Sequence, residues 1–230
     1  MKKLIILGHS DGGVPVVMDL ASELFGYRNF DIIKNIDRPD CPFPSHLYQA
    51  HHFFDYEYDF GSSRDFFVQF GVHHGNVKYL LFHHFLNNYQ INRGQYLDLI
   101  HPNAYFAPSA TAQKGLKIEP LAVVSSMAQL GFGVTIKRSA SVGHHAMLGD
   151  FVNINPGAVL SGFVTIGEGS EIGTGATISN NITIGKRCLI GAGSVVTKDI
   201  PDGVIAYGNP CKPIRENERW AKISSEDYSS

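Results

Sequence analysis

Histidine is the residue type here whose number and placement invite chemistry. The 230-residue chain carries 11, and eight of them form the pairs His51-His52, His73-His74, His83-His84 and His144-His145. Neighbouring residues do not share a face of a helix or a strand, so a doubled histidine is poor spacing for a metal, and no metal site is expected. The pair at 144–145 stands apart, because it supplies the only histidines beyond His101. Steps of 18 residues through His144 give the column Ser126, His144, Gly162, Asn180, Lys198. If that step is a structural repeat, a glycine one layer on leaves open space beside the imidazole. The Gly162 N–H is then within reach of a carbonyl placed there. A base that titrates near neutrality beside a backbone donor is the minimum for acyl transfer. A solvated corner histidine has the same spacing.

A second constellation lies near the N-terminus. Gly8-His9-Ser10-Asp11-Gly12-Gly13 follows the apolar run Lys3 to Leu7. It precedes a helical stripe, Val17, Leu20, Ala21, Leu24 and Phe25, with Pro15 near the first turn and Gly26 as the stop. A glycine-rich turn opening onto a helix N-terminus favours phosphate, and an acid after the second strand, here Asp37, is placed for a ribose or a base. Gly71 and His73 close a later strand and line the same crevice if ligands bind at the carboxyl ends of the strands. The spacing departs from G-x-G-x-x-G, so a plain βα turn with no ligand fits as well.

The elements that position these groups fall into two halves. Twelve of the 15 phenylalanines lie at or before Phe106. Strands over Lys3 to Leu7, Phe30 to Ile36, Phe66 to Phe70 and Tyr96 to Ile100, with helices before Gly26 and over Asn76 to Asn88, predict a small parallel α/β sheet. The aromatic, His-rich stretch from Cys41 to Asp65 reads as a pocket wall or a packed insertion. From Ile118 an aliphatic residue recurs every six positions without a miss: Ile118, Val124, Leu130, Ile136, Val142, Leu148, Ile154, Leu160, Ile166, Ile172, Ile178, Ile184, Ile190, Val196. Glycine often follows, as at Gly131, Gly143 and Gly149. A period of six fits neither helix nor free strand. It fits a triangular prism of stacked coils, a parallel β-helix with glycine and small polar residues at corners that need positive φ. Fourteen inward side chains, at roughly 1.5–3 kcal/mol each, supply the drive. Domains are expected over 1–105 and 106–215, with a polar tail at 216–230.

A formal net charge of −2 with no basic run excludes an electrostatic nucleic-acid binder, and no apolar run is long enough for a membrane span. Three scattered cysteines, Cys41, Cys188 and Cys211, argue for a reducing, cytoplasmic setting.

The segments KLIILGHSDGG, LIHP, VGHHAMLGD, PGAVLSG, IGAGSVVTKDIP and GNPCKPI, spread over residues 3–214, resemble the left-handed β-helix hexapeptide-repeat acyltransferases. More closely, they resemble the sialic acid O-acetyltransferase-like family, which includes nucleotide-sugar N-acetyltransferases of bacillosamine and related 4-amino-sugar biosynthesis. The resemblance implies a Rossmann-like first domain holding a UDP-linked sugar and a homotrimer with active sites between neighbours. It also implies a place in cell-surface polysaccharide biosynthesis. His144 then matches the general base, Gly162 the thioester contact, and Asn153 a position near the substrate. Acetyl-CoA is expected along the prism, by Gly162, Asn180 and Lys198, with its adenine end near Asn209, Pro210 and Lys212. A sugar O-acetyltransferase and a non-catalytic trimeric scaffold are the alternatives. A metal hydratase like the γ-type carbonic anhydrases needs three ligating histidines from separate coils, and this prism has one tandem pair.

Overall fold

The computed structural model describes residues 2–36, 46–61 and 65–221. Asp37 and Cys41 therefore lie outside the described residues.

Four parallel strands form the first sheet: β1 Lys3–Leu7, β2 Asn29–Lys34, β3 Gln49–Phe54 and β4 Phe66–Phe70, in the order β3-β2-β1-β4. Helix α1, Gly13–Phe25, packs Val14, Val17, Met18 and Ala21 on one face of the sheet, against Leu4 and Ile6. It ends where Gly26 takes the left-handed conformation, with φ of 73°. Helix α2, Gly75–Tyr89, covers the other face with Leu81, Phe82 and Phe85. The sequence pattern misses β3. Its central residues are a half-exposed His-His-Phe-Phe run, which shows neither a continuous apolar run nor clean alternation.

The rest is a left-handed β-helix. Its two-residue strands stack in parallel into three sheets of five, six and six, and a terminal hairpin brings the last of these to eight strands. The register advances 18 residues per coil, as in Val142↔Leu160 and Ile154↔Ile172. All 14 aliphatic residues of the six-residue series are buried in one core. The winding begins at Leu99–Ile100, which already pairs with Lys117–Ile118.

The corners divide the work differently from the sequence expectation. Positive φ falls three residues after each aliphatic position from Ile118 to Ile190. Non-glycine residues often hold it, among them Leu121 (61°), Met127 (62°), His145 (56°), Phe151 (60°) and Phe163 (58°). The glycines directly after the aliphatic residues serve close approach of coils instead: a Cβ on Gly143 would overlap the Ser161 carbonyl.

Residues 216–221 are packed rather than a free polar tail. A hairpin, Val204–Gly208 and Cys211–Glu216, ends the eight-stranded sheet, and the short helix Glu218–Ala221 follows. Trp220 is 7% exposed and packs on Tyr79 and over Gly169, with Arg187 against its ring. No helix among the described residues is long and apolar enough to cross a membrane.

The first domain sits on the outer face of the eight-stranded sheet. Phe132 and Phe151, both from prism corners, join the cluster of Phe70, Phe82 and Tyr96. An 18-residue column of outward positions on that sheet, Lys117, Thr135, Asn153 and Glu171, is buried as a result.

Candidate active site

His144 sits at the corner between the six- and five-stranded sheets, after the strand Ser141–Val142 and before Met147–Leu148. Backbone bonds to both neighbouring coils fix this corner: His145 N–H donates to Ser126 O at 3.0 Å, and His144 O accepts from Phe163 N–H at 2.9 Å. The imidazole lies over Gly162, as the sequence column requires. A Cβ there would stand 2.5 Å from His144 Cε1 and 2.6 Å from Nε2. The Gly162 N–H is arranged otherwise than expected. It donates to Asn180 Oδ1 at 2.9 Å, because the amide one coil on reaches back to cap it. Gly162 thus makes room for the ring itself, and Asn180 acts as a clamp on its backbone. Lys198 is exposed three coils of about 4.8 Å from His144 along the axis. Asn209, Pro210 and Lys212 are exposed at and just past the tip of the terminal hairpin. An apolar rim surrounds the corner: Met127, Met147, Val159 and Phe163 are all 41–52% exposed.

The crevice of the first domain is built differently. Gly8 takes a φ of 87°. His9 is buried, its N–H donates to Asn35 Oδ1 at 2.7 Å, and its ring meets that of His52 with centroids 5.6 Å apart. Ser10 spends its carbonyl on the N–H groups of Gly13 and Val14, and its hydroxyl on Gly13. Gly13 itself is needed for packing, since a Cβ there would overlap the Gly71 backbone. One on Gly71 would overlap the Gly8 carbonyl. Asp11 and Gly12 are exposed at the mouth, where His73 Nε2 stands 3.1 Å from the place of a Gly12 Cβ.

His73 is held neutral. Burial first, then the nearby Lys117 and Lys137, push its pKa down to about 3, and its Nδ1 has no hydrogen-bond partner. It offers a phosphate no positive charge. The positive charges nearest to it belong to residues that the sequence reading missed. Lys117 is buried, 3.4 Å from Phe70 O and 3.5 Å from Val72 O, and burial lowers its pKa to about 8. Lys137 is half-buried, donates to Asn155 Oδ1 at 2.8 Å and is also lowered by burial. The 18-step columns Lys117-Thr135-Asn153-Glu171 and Glu119-Lys137-Asn155 were the available signal, a polar stripe on one face of a repeat that needs none there.

Asn153 lies at this interface with both ends of its amide engaged. Its Oδ1 accepts from Lys78 Nζ at 2.8 Å, and its Nδ2 donates to the His73 carbonyl. It holds the His73 loop rather than facing open space. Lys78 also donates to Gly133 O at 2.6 Å, and burial holds its pKa well below the usual lysine value. Glu171 accepts from the Gly75 N–H at 3.0 Å and pairs with His74 at 3.2 Å, so it caps α2 from across the interface.

A cavity of about 600 Å³ opens at the carboxyl ends of β2 and β3, lined by Asn35, Phe54 and Asp55 with Leu81, His84 and Phe85 of α2. His84 Nε2 and Asp55 Oδ2 are 2.6 Å apart on its wall. The domain that carries this cavity docks on the eight-stranded sheet through Lys78 and Gly75, whereas His144 occupies the corner between the other two sheets.

Residues 163–198 match the family model described as bacterial transferase hexapeptide (six repeats). No curated protein matches the chain. Among solved structures, the acetyltransferase domain of PglB from Neisseria gonorrhoeae FA1090, in complex with acetyl coenzyme A, is 32% identical. That match covers 93% of this chain and 100% of that one, with a TM-score of 0.78. PerB from Caulobacter crescentus, in complex with CoA and GDP-perosamine, shares the fold at 22% identity and a TM-score of 0.76, over 93% of this chain and 98% of that one. WeeI from Acinetobacter baumannii AYE shares it at 22% identity and 0.70, over 93% and 100%. The coiled core, the docked α/β domain and the likeness to PglB along nearly the whole chain agree: the chain belongs to the hexapeptide-repeat acetyltransferases that include the PglB acetyltransferase domain.

Proposed function

We propose that the protein transfers the acetyl group of acetyl-CoA to the amine of a nucleotide-linked 4-amino sugar, UDP-linked in the first instance, with His144 as general base. The observation that carries this reading is the imidazole of His144 laid directly on Gly162, where any side chain would collide with its Cε1–Nε2 edge. The neutral amine attacks the thioester carbonyl, the carbon–sulfur bond breaks, and the proton taken by Nε2 passes to the departing thiolate. No covalent enzyme intermediate is required. The nucleoside occupies the cavity at the ends of β2 and β3, where ligands of such sheets bind. Its diphosphate runs past Gly12 and His73 towards Lys137.

Because the first domain docks on the sheet opposite the His144 corner, the working site takes His144 from one protomer and the nucleotide domain from the next. The apolar rim of Met127, Met147, Val159 and Phe163 supplies the contact, and a homotrimer closes it. Acetyl-CoA lies in the seam, its adenine end near Asn209, Pro210 and Lys212.

The test is incubation with acetyl-CoA and a panel of UDP-, GDP- and dTDP-linked 4-amino sugars and their 4-hydroxy analogues, with thiol release as readout. Turnover confined to amino sugars supports the reading, and turnover confined to the hydroxy analogues replaces it with O-acetylation. His144→Ala should lower kcat/KM by about 10²–10⁴ with the assembly intact. Near-wild-type turnover would remove His144 from the mechanism.

A further inference from the structure

His144 Nδ1 and His145 Nδ1 stand 3.1 Å apart, with the rings perpendicular at 89°. Two facing imidazole nitrogens bond only if one carries a proton and the other a lone pair, so this contact selects tautomers. It is held from several directions. His145 has a φ of 56°, and Phe163, at the equivalent position one coil on, has 58°. Side chains leaving equivalent corners point the same way at the coil spacing. The ring of His145 accordingly stacks on that of Phe163 at 4.7 Å and 20°. Phe163 also meets the edge of His144 at 5.1 Å. The second histidine is thus clamped with its Nδ1 aimed at its neighbour, although its backbone conformation is one that few non-glycine residues adopt.

We infer that His145 is a positioning residue for the base: it accepts the Nδ1–H of His144 and so leaves the lone pair on the Nε2 that faces the substrate. The inference rests on the reading of His144 as the base. In the resting pair, His144 carries its proton on Nδ1 and His145 on Nε2, where water reaches it. When His144 takes the amine proton it becomes an imidazolium, and its Nδ1–H bond to His145 becomes charge-assisted and stronger. His145 stabilises the charge while it exists, and the proton on Nε2 continues to the thiolate. His145 neither gains nor loses a proton over the cycle. The reversed arrangement, with the proton of the pair on His145 Nδ1, would put a hydrogen on His144 Nε2 and leave it unable to act as base.

His145→Phe keeps the ring stack, and Phe163 already shows that the corner accommodates phenylalanine, but it removes the acceptor. It should lower kcat about 10- to 100-fold, with KM for both substrates unchanged and the assembly intact. His145→Asn should restore most of the loss, since Asn Oδ1 stands as many bonds from the backbone as His Nδ1 and asparagine tolerates this φ. Imidazole ¹⁵N resonances of the full-length protein provide a readout that packing alone would not move. His144 should show a protonated Nδ1 and an unprotonated Nε2, a pattern lost in His145→Phe. Wild-type kcat in His145→Phe beside an inactive His144→Ala would overturn the role of His145 and leave the base in place. So would a proton found on His144 Nε2. Turnover surviving in His144→Ala removes the base, and this role with it.

Discussion

Gly143 in the prism and Gly13 in the first domain are both glycines because another backbone occupies the space of a Cβ, yet they are legible to very different degrees. The neighbour of Gly143 is Ser161, one coil on, and the same relation recurs along the repeat. The neighbour of Gly13 is Gly71, brought there by the pairing of β1 with β4 and repeated nowhere else. A periodic fold writes its contacts into the spacing of the sequence. A sheet domain writes them into pairings that the spacing does not show. The histidines divide in the same way. His144 and His145 stand where the coil count places them, whereas burial of His9 and His73 depends on which loops meet.

Three changes would break or sharpen this contrast. Gly143→Val should have the largest effect. It forces a branched side chain into the Ser161 carbonyl, and the prism should lose several kcal/mol, on the order of an overpacked core or more. A thermal melt checks this, and an unchanged midpoint would mean the coils are less tightly stacked than described. Lys78→Met should do less. It leaves Gly133 O, Thr135 Oγ1 and Asn153 Oδ1 without their donor at the docking surface, at a cost of about 1–3 kcal/mol. Hydrogen exchange should report the loss in the His73 loop and α2 while the prism core stays protected. Equal loosening of both would argue against separate units.

The smallest effect concerns pH. His73 has its folded pKa depressed to about 3 from 6.5, mainly by burial. Below pH 6.5 the unfolded chain takes up a proton that the folded one refuses. Stability therefore falls as pH drops through the window from 6.5 to 3, and the loss levels off below it. By pH 5 the loss should be on the order of 1–2 kcal/mol. His73→Asn should flatten that part of the stability curve, and an unaltered slope would assign it to other groups.

The spacing alone was enough to set out the coils, the buried aliphatic series, the place of His144 over Gly162 and the two main helices, because each depends on contacts at fixed sequence separation. Tertiary structure decided the rest. It paired β3 with β2, turned the Gly162 N–H to Asn180, and drew the amide of Asn153 into the domain interface. It also buried Lys78 and Lys117 and docked the first domain on the sheet opposite the His144 corner. These depend on which surfaces meet once both halves exist. A lysine or an asparagine carries no mark in sequence of whether it will face water or a second domain, since its preference is set by the partners that burial supplies.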